Sequence, residues 1–323
     1  MLRRNFFALA AAGLSTPSVL RAQGAAWPDR PVRLIVPWPP GGSTDTVARI
    51  IQPKLQEALG KPLVIENKGG ASGSVGAMEA ARAAPDGYTW LVAFDTEATN
   101  QTAMRLPYRL MQAFAPTTLI ATGPLVLLAH KDTPWRSLAD LVAAAKLAPD
   151  TINYATAGVG TLAHVSTALL QQQGDFKLSH VPYRGGGPAM AAALAGEVPL
   201  LMSTSAPAMQ HIRAGTLRAL GVTTETESRH LPGVKGFAQQ GFAGFDAPTW
   251  WALLGRAGTP EPVLRRMHEA TAQVLATPEV RGRIEETGAD VLAGGPERCR
   301  RFLNAEVTKW GQVIRDNNIT LDS

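Results

Sequence analysis

Strand-like and helix-like segments alternate along almost the whole of this chain, and glycine, serine and threonine build many of the junctions between them. Such alternation commits a chain to sheets with parallel pairing, because parallel neighbours need a long crossover that a helix fills. Residues 32–37 read as a strand, and 44–59 as a helix closed by Gly60 and Pro62. Residues 63–67 make a second strand. Gly69, Gly70 and Gly73 then open a helix reaching Ala84, and 87–94 is a third strand.

A new series starts in the middle of the chain. Strands are expected at 125–130, 151–158, 178–183, 198–203 and 217–223, with helices at 137–148, from the 158–161 corner to Gln173, and at 188–195. Ser137 is the expected cap of the first of these helices. An apolar strand holding Trp250 and Trp251 follows, with one ring expected in the core and the other free to cover a cleft. Three helical patterns close the chain. With 323 residues there is enough chain for two lobes. The expected division is 1–22 as an export signal, 23–122 plus 224–323 as a discontinuous first lobe, and 123–223 as an inserted second lobe.

The leader carries Arg3 and Arg4, then an apolar stretch with Phe6 and Phe7, then small residues before a cut after Ala22, which is the layout of an export signal. The paired arginines followed by phenylalanines resemble the twin-arginine type. Beyond residue 22 the balance is 28 basic against 26 acidic residues, without the basic runs that nucleic-acid binding would need. No later segment reaches the ~18 uninterrupted apolar residues of a membrane span. Cys299 is the single cysteine, so no internal disulfide is expected. The mature protein is expected to be a soluble periplasmic monomer.

In open parallel sheets, ligands sit where strands turn into helices. Four corners here are made of small residues: Gly41–Thr44, Thr156–Thr161, Gly185–Gly187 and Ser203–Ser205. Glycine lets a ligand approach the backbone, and the first turn of a helix presents unpaired N–H groups at its positive end. Several such corners facing one cleft would hold a small anion without a basic side chain. Each alone is also an ordinary capped turn; their recurrence in both halves favours binding. Asp45, in the first turn after Gly42, either compensates the helix dipole, organises the glycine loop, or meets an amine on the ligand. Asp95 and Glu97, after the third strand, pose the same question, and acids at strand ends are expected to face solvent.

The enzyme alternatives are weaker. Residues 158–163, GVGTLA, fit a relaxed dinucleotide fingerprint, but no acid sits plainly at the end of the next strand. The 39–45 corner lacks the lysine of a phosphate loop, and there is no G-x-S-x-G elbow. The six histidines are scattered, with no H-x-x-x-H and no cysteine pair for zinc. His164 either contacts a ligand or packs on its helix. No catalytic set, metal site or cofactor is expected.

Taken together, WPDRPVRLIVPWPPGGSTDTVAR, ENKGGASGSVGA, PDGYTWL, INYATAGVGTLAH, HVPYRGGGPAM, IRAGTLRALGVT and RAGTPEPVLRRM, in that order from Trp27 onward, resemble the Bug or TctC-like periplasmic solute-binding proteins of tripartite tricarboxylate transporters. The resemblance implies a two-lobe Venus-flytrap α/β fold, each lobe a mostly parallel sheet flanked by helices, without enzymatic activity. It implies that a small carboxylate is gripped through backbone N–H groups, hydroxyls and ordered water, then delivered to a membrane permease. Position by position it points to Pro40, Gly41, Gly42, Ser43 and Asp45, then Thr156, Gly158, Gly160, Thr161 and His164, with Tyr183 and Gly185 beyond. Asp95 and Ser203 are added as candidates on the far side of the pocket. There the chain departs from the pattern: Phe94–Asp95 replace small polar residues, Ser203–Ser205 replace a Phe-Asp pair, and residues 233–241 differ too. A periplasmic enzyme using the Gly158–Gly160 loop for a nucleotide, or an orphan receptor feeding a sensor, are the alternatives.

Overall fold

A computed structural model describes residues 27–321. The expected export signal at 1–22 lies outside the described residues. In chain order the elements are β1 Val32–Val36, α1 Ser43–Leu59, β2 Leu63–Asn67, α2 Ser74–Arg82, β3 Thr89–Phe94, α3 Thr96–Ala103, α4 Leu110–Ala113 and β4 Phe114–Gly123. They continue as β5 Leu125–His130, α5 Leu138–Leu147, β6 Asn153–Thr156, α6 Leu162–Gly174, β7 Ser179–Pro182, α7 Gly186–Leu194, β8 Leu200–Thr204, α8 Ser205–Arg213 and β9 Leu217–Val222. The last are β10 Thr249–Arg256, α9 Glu261–Ala276, α10 Pro278–Glu285, β11 Asp290–Gly294 and α11 Pro296–Asp316.

Local chemistry explains the elements that place the corners. In α1, Val47, Ile51 and Leu55 recur at helical spacing and are fully buried, each side chain contributing roughly 1.5–3 kcal/mol by leaving water. Gly60 stops the helix in a left-handed conformation, its N–H closing onto the carbonyls of Gln56 and Glu57. Ser137 caps α5 as expected, in a reciprocal box with Asp140.

The strands form two sheets, a six-stranded one in the order β11-β4-β10-β3-β1-β2 and a five-stranded one in the order β7-β6-β8-β5-β9. The pairing is mixed rather than mostly parallel. β1 pairs in parallel with β2 and β3, and β6 with β7 and β8, so the candidate corners do follow parallel strands. β10 runs antiparallel to β3 and β4, β11 to β4, and β5 to β8 and β9. The cause is the pair of crossings between the sheets. β4 passes through Pro124 straight into β5, and the chain returns later to enter β10, so both crossing strands reverse direction relative to their neighbours.

Thr223, fully buried, binds the two crossings together. Its N–H donates to Leu125 O and its hydroxyl accepts from Leu125 N–H, while its hydroxyl donates to Ala247 O and its carbonyl accepts from Ala247 N–H. Residues beyond 223 stay longer than expected with the second sheet. Gly236 bridges Val222, Phe237 N–H donates to Val222 O, and Leu231 packs in the cluster around Val222 and Val126. The apolar core does not respect the sheets. One buried cluster joins Leu91, Leu119, Trp250 and Leu303 of the first to Leu127, Tyr154, Met202 and Phe237 of the second. Among the described residues no helix is long and apolar enough to cross a membrane.

Candidate functional site

The corner between β1 and α1 exposes Pro40 and Gly41 and half-buries Gly42 and Ser43. Gly41 adopts φ +82°, a conformation that disfavours any side chain. No side chain caps α1 at Gly42, so the first-turn N–H groups remain available. Asp45 is not on offer to a ligand, being 2% exposed. One of its oxygens accepts from Gly41 N–H and from Arg49 Nε, both at 2.8 Å, and the other accepts from Asn67 Nδ2 at 2.9 Å. Asn67 also donates to Trp38 O at 3.0 Å. Burial opposes ionisation, but the bonds from Arg49, Gly41 and Asn67 prevail and hold the carboxyl below its ordinary range. Asp45 therefore braces the loop.

The corner between β6 and α6 is held differently. Gly158 and Gly160 sit at φ +147° and +73°. The Thr161 hydroxyl donates to Gly158 O at 2.8 Å and accepts from His164 N–H. Thr156, fully buried, hydrogen-bonds Gly158 and lies 2.7 Å from His180 Nε2. His164 accepts Gly160 N–H on Nδ1 at 3.2 Å, and its ring stacks on His180 at 3.9 Å between centroids, tilted 14°. Tyr154 stacks on the other face of the assembly, 4.9 Å from His180. Burial pushes the His164 imidazole down to about 4, and burial together with its neighbour pushes His180 to about 3. Both rings are neutral at pH 7, and His164 supports the loop from behind.

The next corner is zipped onto this one. Tyr183 N–H donates to Thr156 O and Gly185 N–H to Ala157 O, both at 3.0 Å, so 156–161 and 183–187 form one surface. Ser203 lies inside β8, paired with Val126, rather than at the loop. Its neighbour Ser205 opens α8 and donates across the lobes to Thr287 O at 3.1 Å.

A second contact joins the lobes at the 158–160 loop. Ser72 Oγ donates to Val159 O at 3.0 Å, and Asn100 Nδ2 holds Ser72 O at 2.9 Å. Ala71 and Ser72 both have positive φ, 43° and 51°, a conformation that costs about 1 kcal/mol or more for residues other than glycine. This turn packs on Pro39 through Gly69 and thereby links the first corner to the second.

The acids after β3 overturn an expectation. Asp95 and Glu97 do not face solvent; they are 1% and 0% exposed. They precede and enter α3, which is wedged between β3, α11 and α6 and so is covered on all sides. Asp95 accepts from the Thr249 hydroxyl and Glu97 from Tyr108 OH, while Asp95 Oδ1 and Glu97 Oε1 have no partner. Burial, reinforced by other buried acids, pushes both carboxyls up to about 8. Apart from the exposed Arg184, the segments 37–43, 69–73, 94–100, 156–161, 183–187 and 203–205 contain no lysine or arginine. An open hollow of about 450 Å³ lies beside the first corner, where Arg49 and Arg283 line it together with Gly41, Asp45 and Thr287. Among the described residues no group of three or more His, Cys, Asp or Glu is placed to hold a metal.

Ser72, Asn100, His180, Thr249 and Ser205 as a contact across the lobes escaped the sequence reading. Their roles come from partners far along the chain, and only the run GGASG around Ser72 hinted at an unusual turn.

Two sheets joined by paired crossings, with hydrogen-bond-rich corners at the ends of their parallel strands, invite comparison with binding proteins of known fold. The family described as tripartite tricarboxylate transporter family receptor, TctC, matches residues 47–319. This chain belongs to that family. Among solved TctC-like structures, the periplasmic binding protein BugD superposes with a TM-score of 0.84 at 30% identity, covering 91% of this chain and 99% of BugD. An R. palustris protein solved with adipate gives 0.86 at 30%, covering 91% and 99%. MatC from Rhodopseudomonas palustris, solved with bound malate, gives 0.83 at 31%, covering 89% and 100%. The fold is thus the two-lobe fold of periplasmic binding proteins, and the TctC relatives are solute-binding receptors.

Proposed function

We propose that this chain is an exported TctC receptor that captures a small carboxylate between its lobes and delivers it to a membrane permease of the tripartite tricarboxylate type. The observation that carries this reading is the pair of small-residue corners at the carboxyl ends of parallel strands, joined through Ser72, with the first turn of α1 uncapped and no lysine or arginine in either loop but Arg184. Such a site suits an anion held by helix starts and glycine backbone. The relatives solved with adipate and malate support the ligand class.

In this reading Pro40, Gly41, Gly42 and Ser43 contact the carboxylate from the first lobe. Gly158, Tyr183 and Gly185 do so from the second, while Thr156, Gly160 and Thr161, buried and bonded within the loop, shape it. Asp45 and His164 act one step back, holding those loops in shape. The first lobe runs to about residue 122 and resumes near Thr249; the second occupies the stretch between, working as a monomer. Closure on the ligand presents the docking surface to the permease.

A thermal-shift screen of mono-, di- and tricarboxylates tests the ligand class, with stabilisation by at least one class expected. Gly42→Val is the informative variant. Gly42 has an ordinary φ of −73°, and a Cβ there meets nothing closer than Pro39 O at 3.5 Å. The apo protein should therefore keep its melting temperature while ligand stabilisation disappears. Normal binding by Gly42→Val would remove the first corner from the site. Gly160→Val is less clean, since a Cβ at that φ of +73° falls 2.7 Å from Leu321 Cδ1.

A further inference from the structure

Among the buried hydrogen-bond donors of the first lobe that have no acceptor, two lie together: the Trp38 indole Nε1–H and the Thr96 hydroxyl. Buried donors are nearly always paired, so two orphans side by side need an explanation. They converge. The position a Cβ would take on Gly73 lies 3.4 Å from Thr96 Oγ1, 3.5 Å from Trp38 Nε1 and 3.5 Å from Pro37 O. Gly73 itself sits at φ +89°, so the backbone keeps that notch free of a side chain. The polar atoms come from two separate segments, the exit of β1 and the start of α3, and meet over the turn before α2. The notch is therefore not the internal chemistry of a single turn.

It also lies where the lobes meet. Ser72, the residue before Gly73, donates to Val159 O in the second lobe's glycine loop. The notch thus adjoins the segment that meets that loop. The walls are aromatic and acidic: Phe94 meets Trp38 edge-on at 6.0 Å and Trp251 at 5.6 Å, and fully buried Asp95 and Glu97 flank Thr96. A second carboxylate entering here would lose its water and find no cation in return. A hydroxyl or carbonyl oxygen would instead satisfy both donors at no charge penalty.

We propose that Trp38 and Thr96 are specificity-determining donors to an uncharged oxygen of the ligand, so that this receptor selects hydroxy- or oxo-monocarboxylates over dicarboxylates. The inference rests on the carboxylate-receptor reading above and adds the chemistry of the ligand's other end.

The test uses length-matched probes from four to six carbons: the plain monocarboxylate, its ω-hydroxy analogue and the dicarboxylate, titrated calorimetrically against the full chain and against Trp38→Phe and Thr96→Val. Each variant removes one donor; Thr96→Val keeps the shape, and Trp38→Phe keeps an aromatic ring against Phe94. At the best length the ω-hydroxy acid should bind the unaltered protein at least tenfold more tightly than either companion. In each variant its loss should exceed the plain acid's loss by tenfold or more. A preference for the dicarboxylate overturns the proposal. So does equal weakening of hydroxy and plain acids, the mark of a structural role. Higher apo melting temperatures with unchanged selectivity would mean that a trapped water occupies the notch, which overturns it as well. If no carboxylate of any kind binds, the receptor reading itself fails and the proposal falls with it.

Discussion

The two glycine corners, one in each lobe, are held in shape by opposite chemistry. In the first lobe an ionised carboxylate, Asp45, gathers Gly41, Arg49 and Asn67 and sets the glycine loop by charge-assisted hydrogen bonds. In the second lobe a neutral stack of His164, His180 and Tyr154, with the hydroxyls of Thr156 and Thr161, sets a loop of the same composition. A glycine loop is too pliant to hold a binding geometry by itself. What fixes it is the side chain behind it, and that side chain can be ionic or uncharged.

Acid separates the two most strongly. His164 and His180 have folded pKa values depressed to about 4 and about 3, below the ordinary 6.5. The folded state therefore binds fewer protons than the unfolded chain between those values and 6.5, and stability drains away as pH falls through that window. The loss is on the order of 1.4 kcal/mol per pH unit for each ring across its window. Asp45 has a lowered pKa, so its contribution is fully present above 3.8 and goes only below it. Asp95 and Glu97 run the other way, gaining stability as pH falls from about 8 toward 4, so the total slope mixes both signs. The measurement is consequently a difference: denaturant midpoints from pH 7 to 4 for the unaltered chain and for His164→Gln. The variant should lose less stability over that range. Parallel curves would show that the stack does not distinguish the corners.

Asp45→Ala comes next. It leaves Gly41 N–H and Asn67 without their acceptor, and about 2 kcal/mol of stability should go. Carboxylate affinity should fall at least tenfold because the loop loses its shape. Asp45→Asn, which keeps an acceptor, should recover part of both in denaturation and titration experiments. If Asp45→Ala binds normally, the ionic brace is dispensable.

The smallest effect belongs to the bond between the corners. Ser72→Ala removes the donor to Val159 O, about 0.5–1.5 kcal/mol. Closure, and with it ligand affinity, should weaken several-fold, while apo stability moves less. Unchanged affinity would place Ser72 outside the closing contact.

The corners themselves were legible because glycine and small hydroxylated residues after apolar strands have a direct local meaning. Their braces were not. Asp45 stood out by position, but whether it faced the ligand depended on Asn67, 22 residues away. His164 stood out too, yet its partner His180 lies on the next strand. Helix α3, TEATNQTA, has no apolar stripe; it is buried because two lobes cover it, so periodicity cannot reveal it. The same cover defeats the rule that acids at strand ends are solvated, which misplaced Asp95 and Glu97. β4 hid beside β5, separated from it by Pro124 alone, and with it went the antiparallel half of the first sheet.

The apolar cluster that runs unbroken from Trp250 and Leu303 to Tyr154 and Met202 has a consequence for how this chain can be inherited and altered. Each lobe also keeps an apolar cluster of its own, around Ile51 and Trp90 in the first and around Val126 and Val222 in the second, and the shared seam couples the two. Heating should accordingly melt both together, with calorimetric and van't Hoff enthalpies in agreement. Recombination between relatives at the crossings would transplant half of a shared interior, and a hybrid would have to match that seam residue by residue before its cleft could be asked to bind anything.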